Sequence, residues 1–202
     1  MSRAETLPLL GGALCLAFAN TLEWRRRAAP EDALASYGDL VRWMLRTGAL
    51  AAEAGDLLQR RAEAAPAPTR AALDRAVAWR EALYGLFSAV AATGEAPADL
   101  AERVAEGMAP LLAATSYPVR GRRGSRVWRG EPDDLDRALW PIAWSAHDLL
   151  TGTELPLVRE CANLECCWLF VDRSRNRSRR WCEMASCGNL MKARRHRGRA
   201  SS

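Results

Sequence analysis

Apolar positions recur at helical spacing through most of the first 150 residues. Leu40, Val41, Met44 and Leu45 form one stripe, with Trp43 beside it and Ser36 placed to cap the helix. Gly48 ends that helix. Ala49 to Ala64 reads as a second helix. Pro66 and Pro68 mark a loop, and Thr69 opens a long third helix with Leu73, Val77, Leu83, Tyr84, Leu86, Phe87 and Val90 on its apolar face. Gly94 to Pro97 closes it, and a further helix spans about Asp99 to Ala114. Ahead of these, Pro30-Glu31-Asp32 reads as a helix start, with its acids at the positive end of the dipole.

The texture changes at Tyr117. Gly121 and Gly124 are turn residues between the strand formers Val119, Val127 and Trp128, so Tyr117 to Arg129 reads as a hairpin. Asp133 caps a last helix carrying Leu135, Leu139, Ile142, Ala143, Ala146, Leu149 and Leu150, and Pro141 kinks it or opens a second segment. Leu7 to Ala19 is apolar but is broken by Gly11 and Gly12, and Arg3 and Glu5 cancel ahead of it. A buried opening segment is expected there, not a leader peptide. No run reaches the roughly 18 apolar residues of a membrane helix. The fold class that follows is mainly α: a helical N-terminal domain over 1–153 with one small β-hairpin, and a second module over 154–202, joined by a short linker so that the two parts are expected to pack together.

Charge divides the chain the same way. The segment from Arg173 to Arg199 holds 10 basic residues and one acid, Glu183, so it carries about +9 of a net charge of +5. The remainder is mildly acidic. A segregated basic end points to a polyanion. The helical part offers no Ser/His/Asp set and no phosphate loop, and His147 stands alone, so no enzyme is expected. Trp24, Trp43, Trp79, Trp140 and Trp144 read as core.

Five of the six cysteines lie between 161 and 187. Cys161 and Cys166 enclose four residues, Cys182 and Cys187 enclose four, and fifteen separate the pairs. Two tight knuckles joined by a segment that folds back suit a closed tetrahedral zinc site, whose full thiolate shell is structural. Disulfides would need an oxidising compartment, and iron–sulfur clusters use closer runs. Cys167 adjoins Cys166, and the symmetry of the pairs favours Cys166 as the ligand. Cys15 reads as a buried thiol. Trp168 to Val171 is strand-like, Asp172 to Ser178 turn-like, and Arg179 to Cys182 is placed to return as the second strand. Gly188 to Arg197 reads as a helix. Knuckle, β-hairpin and helix make a treble-clef-like zinc finger. Its helix sets Lys192, Arg195 and Arg199 along one side with Arg194 close by, and its loop adds Arg173, Arg175, Arg177, Arg179 and Arg180. Guanidinium forks suit phosphates and guanine edges.

The run from Cys161 through Cys166-Cys167-Trp168-Leu169-Phe170-Val171-Asp172-Arg173 to Trp181-Cys182 and Cys187-Gly188-Asn189 resembles the CGNR zinc finger. That finger closes bacterial proteins whose N-terminal part is the ABATE domain, and Leu16-Ala17-Phe18-Ala19-Asn20-Thr21 resembles the Leu-Asp-Phe-x-Asn-Thr opening of that domain. The resemblance covers the whole chain and is most specific over the last 40 residues. It implies one structural zinc on Cys161, Cys166, Cys182 and Cys187, and a stress-linked transcription regulator with a small-molecule effector of the N-terminal domain. Leu190 stands where the finger's namesake arginine belongs, and Ala17 where the opening motif has aspartate. Asn20 and Thr21 match, as candidate ligand contacts or as partners for local backbone.

The expected function is a cytoplasmic, zinc-dependent nucleic-acid-binding regulator with a helical sensor, acting on DNA, with RNA as a second polyanion. A dimer is compatible with that role, and the sequence leaves the oligomeric state open. The alternative is a structural zinc module that mediates protein–protein interaction without binding nucleic acid, its arginines meeting a protein partner.

Overall fold

Short helices and turns at the N-terminus build the interior before any long helix begins. In the computed structural model, which describes residues 1–120 and 123–200, α1 (Arg3–Thr6) is followed by α2 (Leu14–Ala19), whose last five residues are all buried. β1 (Leu22–Glu23) then pairs antiparallel with β2 (Glu31–Asp32). Glu31 and Asp32 thus form a strand, not the helix start read from Pro30. Asp32 explains the difference. Its carboxylate accepts the Leu34 N–H at 2.9 Å and both arms of the Arg80 guanidinium at 2.7 and 2.8 Å. Arg80 is almost wholly buried, so this pairing fixes the strand to the core. Burial pushes the Asp32 carboxyl up, and Arg80 more than reverses it, holding the group below its ordinary value.

The long helices follow. Ser36 accepts the Asp39 N–H at 3.1 Å and starts α3 (Tyr37–Arg46), which Gly48 terminates in a left-handed conformation. α4 is Ala52–Ala64, α5 is Pro66–Thr93 and α6 is Ala98–Ala113. Pro66 and Pro68, expected in a loop, lie in the first turn of α5. That turn's N–H groups have no helical partner, so proline costs nothing there. β3 (Thr115–Ser116) pairs with β6 (Val127–Trp128), and β4 (Val119–Arg120) with β5 (Arg123–Gly124), as the nested arms of the expected hairpin. Gly121, read as a turn residue, lies outside the described residues. Asp134, not Asp133, accepts the Asp136 N–H at 2.9 Å and caps a tight turn at Leu135–Leu139. Pro141 then opens α7 (Trp140–Thr151) as a second segment. Trp140 and Trp144 both donate to Thr115 Oγ1, at 2.9 and 3.0 Å, tying the hairpin to α7.

The basic module contains β7 (Val158–Glu160), β8 (Leu169–Val171) and α8 (Asn189–Ala200), the last preceded by a wide turn at Met184–Gly188. β8 pairs with β7, Val158 opposite Val171 and Glu160 opposite Leu169. Arg179 to Cys182, expected as the returning strand, is irregular. Its groups serve the site instead: Arg180 C=O accepts the Ala162 N–H at 2.8 Å, and the Arg179 N–H goes to Asp172 at 2.9 Å.

α5 is the spine, packed by α2, α3 and α6 and by β7 and β8 of the basic module. Leu83 and Phe87 on α5, Phe18 on α2, and Leu169 and Phe170 on β8 belong to one buried apolar cluster with the metal-spaced cysteines. The two parts therefore share a core. Asn20, at the end of α2, fastens them. Its Nδ2 donates to Leu169 C=O and its Oδ1 accepts Leu169 N–H, both at 2.8 Å. The side chain acts as one more strand edge for β8. Thr21 Oγ1 donates to Phe18 C=O at 2.7 Å and accepts from Arg80 at 3.2 Å. Among the described residues no helix is long and apolar enough to cross a membrane.

Candidate metal centre and basic surface

Asn163 shapes the first knuckle. Its backbone C=O accepts the N–H groups of Cys166 and Cys167 at 2.9 and 3.2 Å, and its side chain donates to Cys187 Sγ at 3.5 Å. The Cys161 N–H donates to Trp168 C=O at 2.8 Å, which closes the knuckle onto β8. The second knuckle is the wide turn that carries Cys187 next to Gly188. Together they bring the Sγ atoms of Cys161, Cys166, Cys182 and Cys187 within 4.8 Å of one another, all buried. Cys166 and Cys182 lie 3.7 Å apart, as do Cys182 and Cys187.

These distances test a metal directly. A tetrahedron with zinc–sulfur arms of about 2.3 Å has edges of about 3.8 Å. The two separations of 3.7 Å fit that figure, the whole set lies within 4.8 Å, and the thiols are free of disulfides. They also act on one another. Cys166 and Cys182 are pushed up chiefly by Cys161, whereas Cys161 comes down to about 7, chiefly through Cys166, and Cys187 comes down through Cys161. Four thiolates this close repel unless a divalent cation lies between them. Bound there, zinc supplies structural cross-linking, since every position of its shell is a protein sulfur. A recess of about 170 Å³ lies beside Trp24, Trp168, Cys166, Cys182 and Cys187.

Cys167 points elsewhere. Its backbone is left-handed at φ 57°, and its Sγ donates to Leu164 C=O at 3.1 Å. Burial first, and Glu160 second, push its thiol up to about 11. Cys15 is fully buried in α2, and burial pushes its thiol up to about 12. Both thiols stay protonated at neutral pH.

The arginines of the module do different jobs. Asp172 is buried and staples the loop: its Oδ1 accepts from the Ser174 N–H and hydroxyl at 2.9 and 2.6 Å, and its Oδ2 from the Arg179 N–H. Arg179 turns inward, donating to Trp181 C=O at 2.9 Å and to Cys182 C=O, with its guanidinium 4.3 Å from the Phe170 ring centre. Arg173 pairs with Glu154, and Arg194 with Glu165 at 2.9 Å. Arg180 leans toward the Trp181 ring at 5.4 Å and is exposed. Arg175, Arg177, Lys192 and Arg195 are exposed and, among the described residues, meet no carboxylate. The Arg199 side chain lies outside the described residues. Leu190, in place of the namesake arginine, is half-buried at the start of α8.

Four contributors escaped the sequence reading. Asn163, Asp172 and Glu165 have no motif of their own. The run Arg25-Arg26-Arg27 was visible as a charge run, but nothing local placed it beside the finger, where Arg27 meets Glu165 at 3.1 Å.

Two family models match the chain. That of ABATE, described as "Putative stress-induced transcription regulator", matches residues 12–153. That of the CGNR zinc finger matches residues 158–200. Neither family is an enzyme type. No curated protein matches the chain.

Proposed function

The chain belongs to the ABATE family and ends in a CGNR zinc finger, and on that premise we propose that it is a zinc-dependent DNA-binding regulator. In this reading residues 1–153 are a helical sensor and 154–202 the binding module, in the reducing cytoplasm where thiols stay available to zinc. One observation carries it. The finger's cations are not neutralised by the body: among those named, only Arg173 reaches a carboxylate outside the knuckles, Glu154. Arg175, Arg177, Arg180, Lys192 and Arg195 stay open to solvent on a segment with few acids. A module meant to clamp onto the acidic body would have its arginines met there, so the protein-binding alternative has less support.

A recess of about 600 Å³ between Trp140, Trp144, Asp148 and Glu154 is the proposed effector site of the body, since Glu154 also holds Arg173 of the finger. It is preferred over Asn20 and Thr21, whose polar atoms are bonded within the protein.

The test is binding of the zinc-loaded full chain to duplex DNA and, in parallel, to RNA across a salt series. Affinity is expected to fall steeply with salt, and a variant with Arg175, Arg177, Lys192 and Arg195 changed to Ala should lose about 3.6 units of the log–log slope. Absence of DNA retention at about 50 mM salt overturns the reading, and preference for RNA redirects it.

A further inference from the structure

We propose that the helical body contributes directly to the nucleic-acid surface, through Arg26 and Arg27 of the turn after β1, which hold phosphates alongside α8. This rests on the DNA-binding reading above and adds a second contact region outside the zinc finger.

The turn is preformed. Trp24 sits in the left-handed region at φ 54°, and its C=O accepts the Arg27 N–H at 2.8 Å. The Arg27 guanidinium stacks 3.6 Å above the Trp24 ring and donates through Nε to Glu165. Arg25 is the structural member of the run: it is buried against Glu81 and lies 3.8 Å over the Tyr84 ring. Arg26 and Arg27 are exposed. Among the described residues, the ion-pair partner of Arg26 is Glu160, at a loose 3.9 Å.

The turn is placed by a shared acid. Glu165, in the first knuckle, accepts Arg27 at 3.1 Å from the body and Arg194 at 2.9 Å from α8. Arg27 first, then Arg194, hold its carboxyl below the ordinary value. Two cations from two parts of the chain, Arg27 and Arg194, thus meet on one carboxylate, with Arg26 next to Arg27 in the same turn. The surplus positive charge lies where α8 begins its exposed basic run. Cations held in place before binding lose less freedom on meeting phosphates than free side chains do. Such contacts read no bases, so the contribution is to affinity and register, uniformly over sequences.

The experiment compares zinc-loaded full-length proteins on a mixed-sequence duplex across a salt series. R26A/R27A is expected to bind roughly 10- to 60-fold more weakly at about 0.1 M salt, with the log–log salt slope reduced by about 2. R60A/R103A removes the same charge from α4 and α6, which pack on the body alone, and is expected to keep the wild-type slope. Glu165→Gln removes the negative charge but keeps an amide oxygen that accepts from the placed arginines, and should tighten binding by about threefold or more. Zinc content and circular dichroism check each fold, and the Glu165→Gln arm stands even if R26A/R27A misfolds. A wild-type slope in R26A/R27A, an equal loss in R60A/R103A, or weaker binding by Glu165→Gln overturns the proposal. If wild-type protein itself does not retain DNA, the DNA-binding reading fails first and all four proteins look alike.

Discussion

Asn20 lies 149 residues before the residue it holds. A planar amide offers one donor and one acceptor side by side, which is what the edge of a peptide presents in return. Leu169 is fully buried, so removing that partner strands its N–H and C=O away from water. Asn20→Ala should therefore cost roughly 2–4 kcal/mol. In urea unfolding of the zinc-loaded protein the midpoint should drop with the slope unchanged. A midpoint within error of wild type would show that water replaces the amide. From sequence alone Asn20 had two readings, ligand contact or backbone partner. Only the identity of what lies opposite separates them, and no local pattern holds that information. The same holds for Arg80, one arginine among many in the sequence and buried on Asp32 in the fold.

Among elements, the finger was the most legible because metal ligation works through local chain geometry. A knuckle needs its two sulfurs a few residues apart, so the spacing of Cys161 with Cys166, and of Cys182 with Cys187, survives in the sequence. The structure brings those four together and turns Cys167 away. Serine at any of the four should abolish stoichiometric zinc, while Cys167→Ser should retain about one zinc per chain; metal analysis of the purified variants checks this. Loss of zinc in Cys167→Ser would mean that the spare thiol takes part. The strands were less legible. β7 is Val158-Arg159-Glu160, with one buried residue and two charges, and it sits where a linker was expected. Arg179 to Cys182 reads instead as the returning strand of the finger. At two or three residues, a strand carries too little periodicity to be recognised. The long helices were found because α3, α5 and α7 repeat their apolar faces over several turns. The start of α5 shifted because Pro66 and Pro68 read as a loop, whereas they are first-turn residues.

At the scale of the whole molecule, the sequence suggested two parts and a short joint, and the structure shows a single buried cluster running through both. Metal removal should then reach beyond the finger. The chelated protein should melt in one transition lowered by roughly 10 °C or more, since each kcal/mol moves a chain of this size by about 2–4 °C. Calorimetry with and without chelator checks it. A body transition that stays in place while a small finger transition disappears would refute the shared core. The docking of β8 also bears on ancestry. Modules that trade partners freely meet at soft, interchangeable joints. Here Leu169 and Phe170 rest in a bed made by α2 and α5, and Asn20 is cut to fit them. A recombination event that fused this finger to a foreign body would strand its strand and strip the old host's interior at once. Substitutions in β8 and in the α2–α5 bed are therefore expected to be tolerated only together.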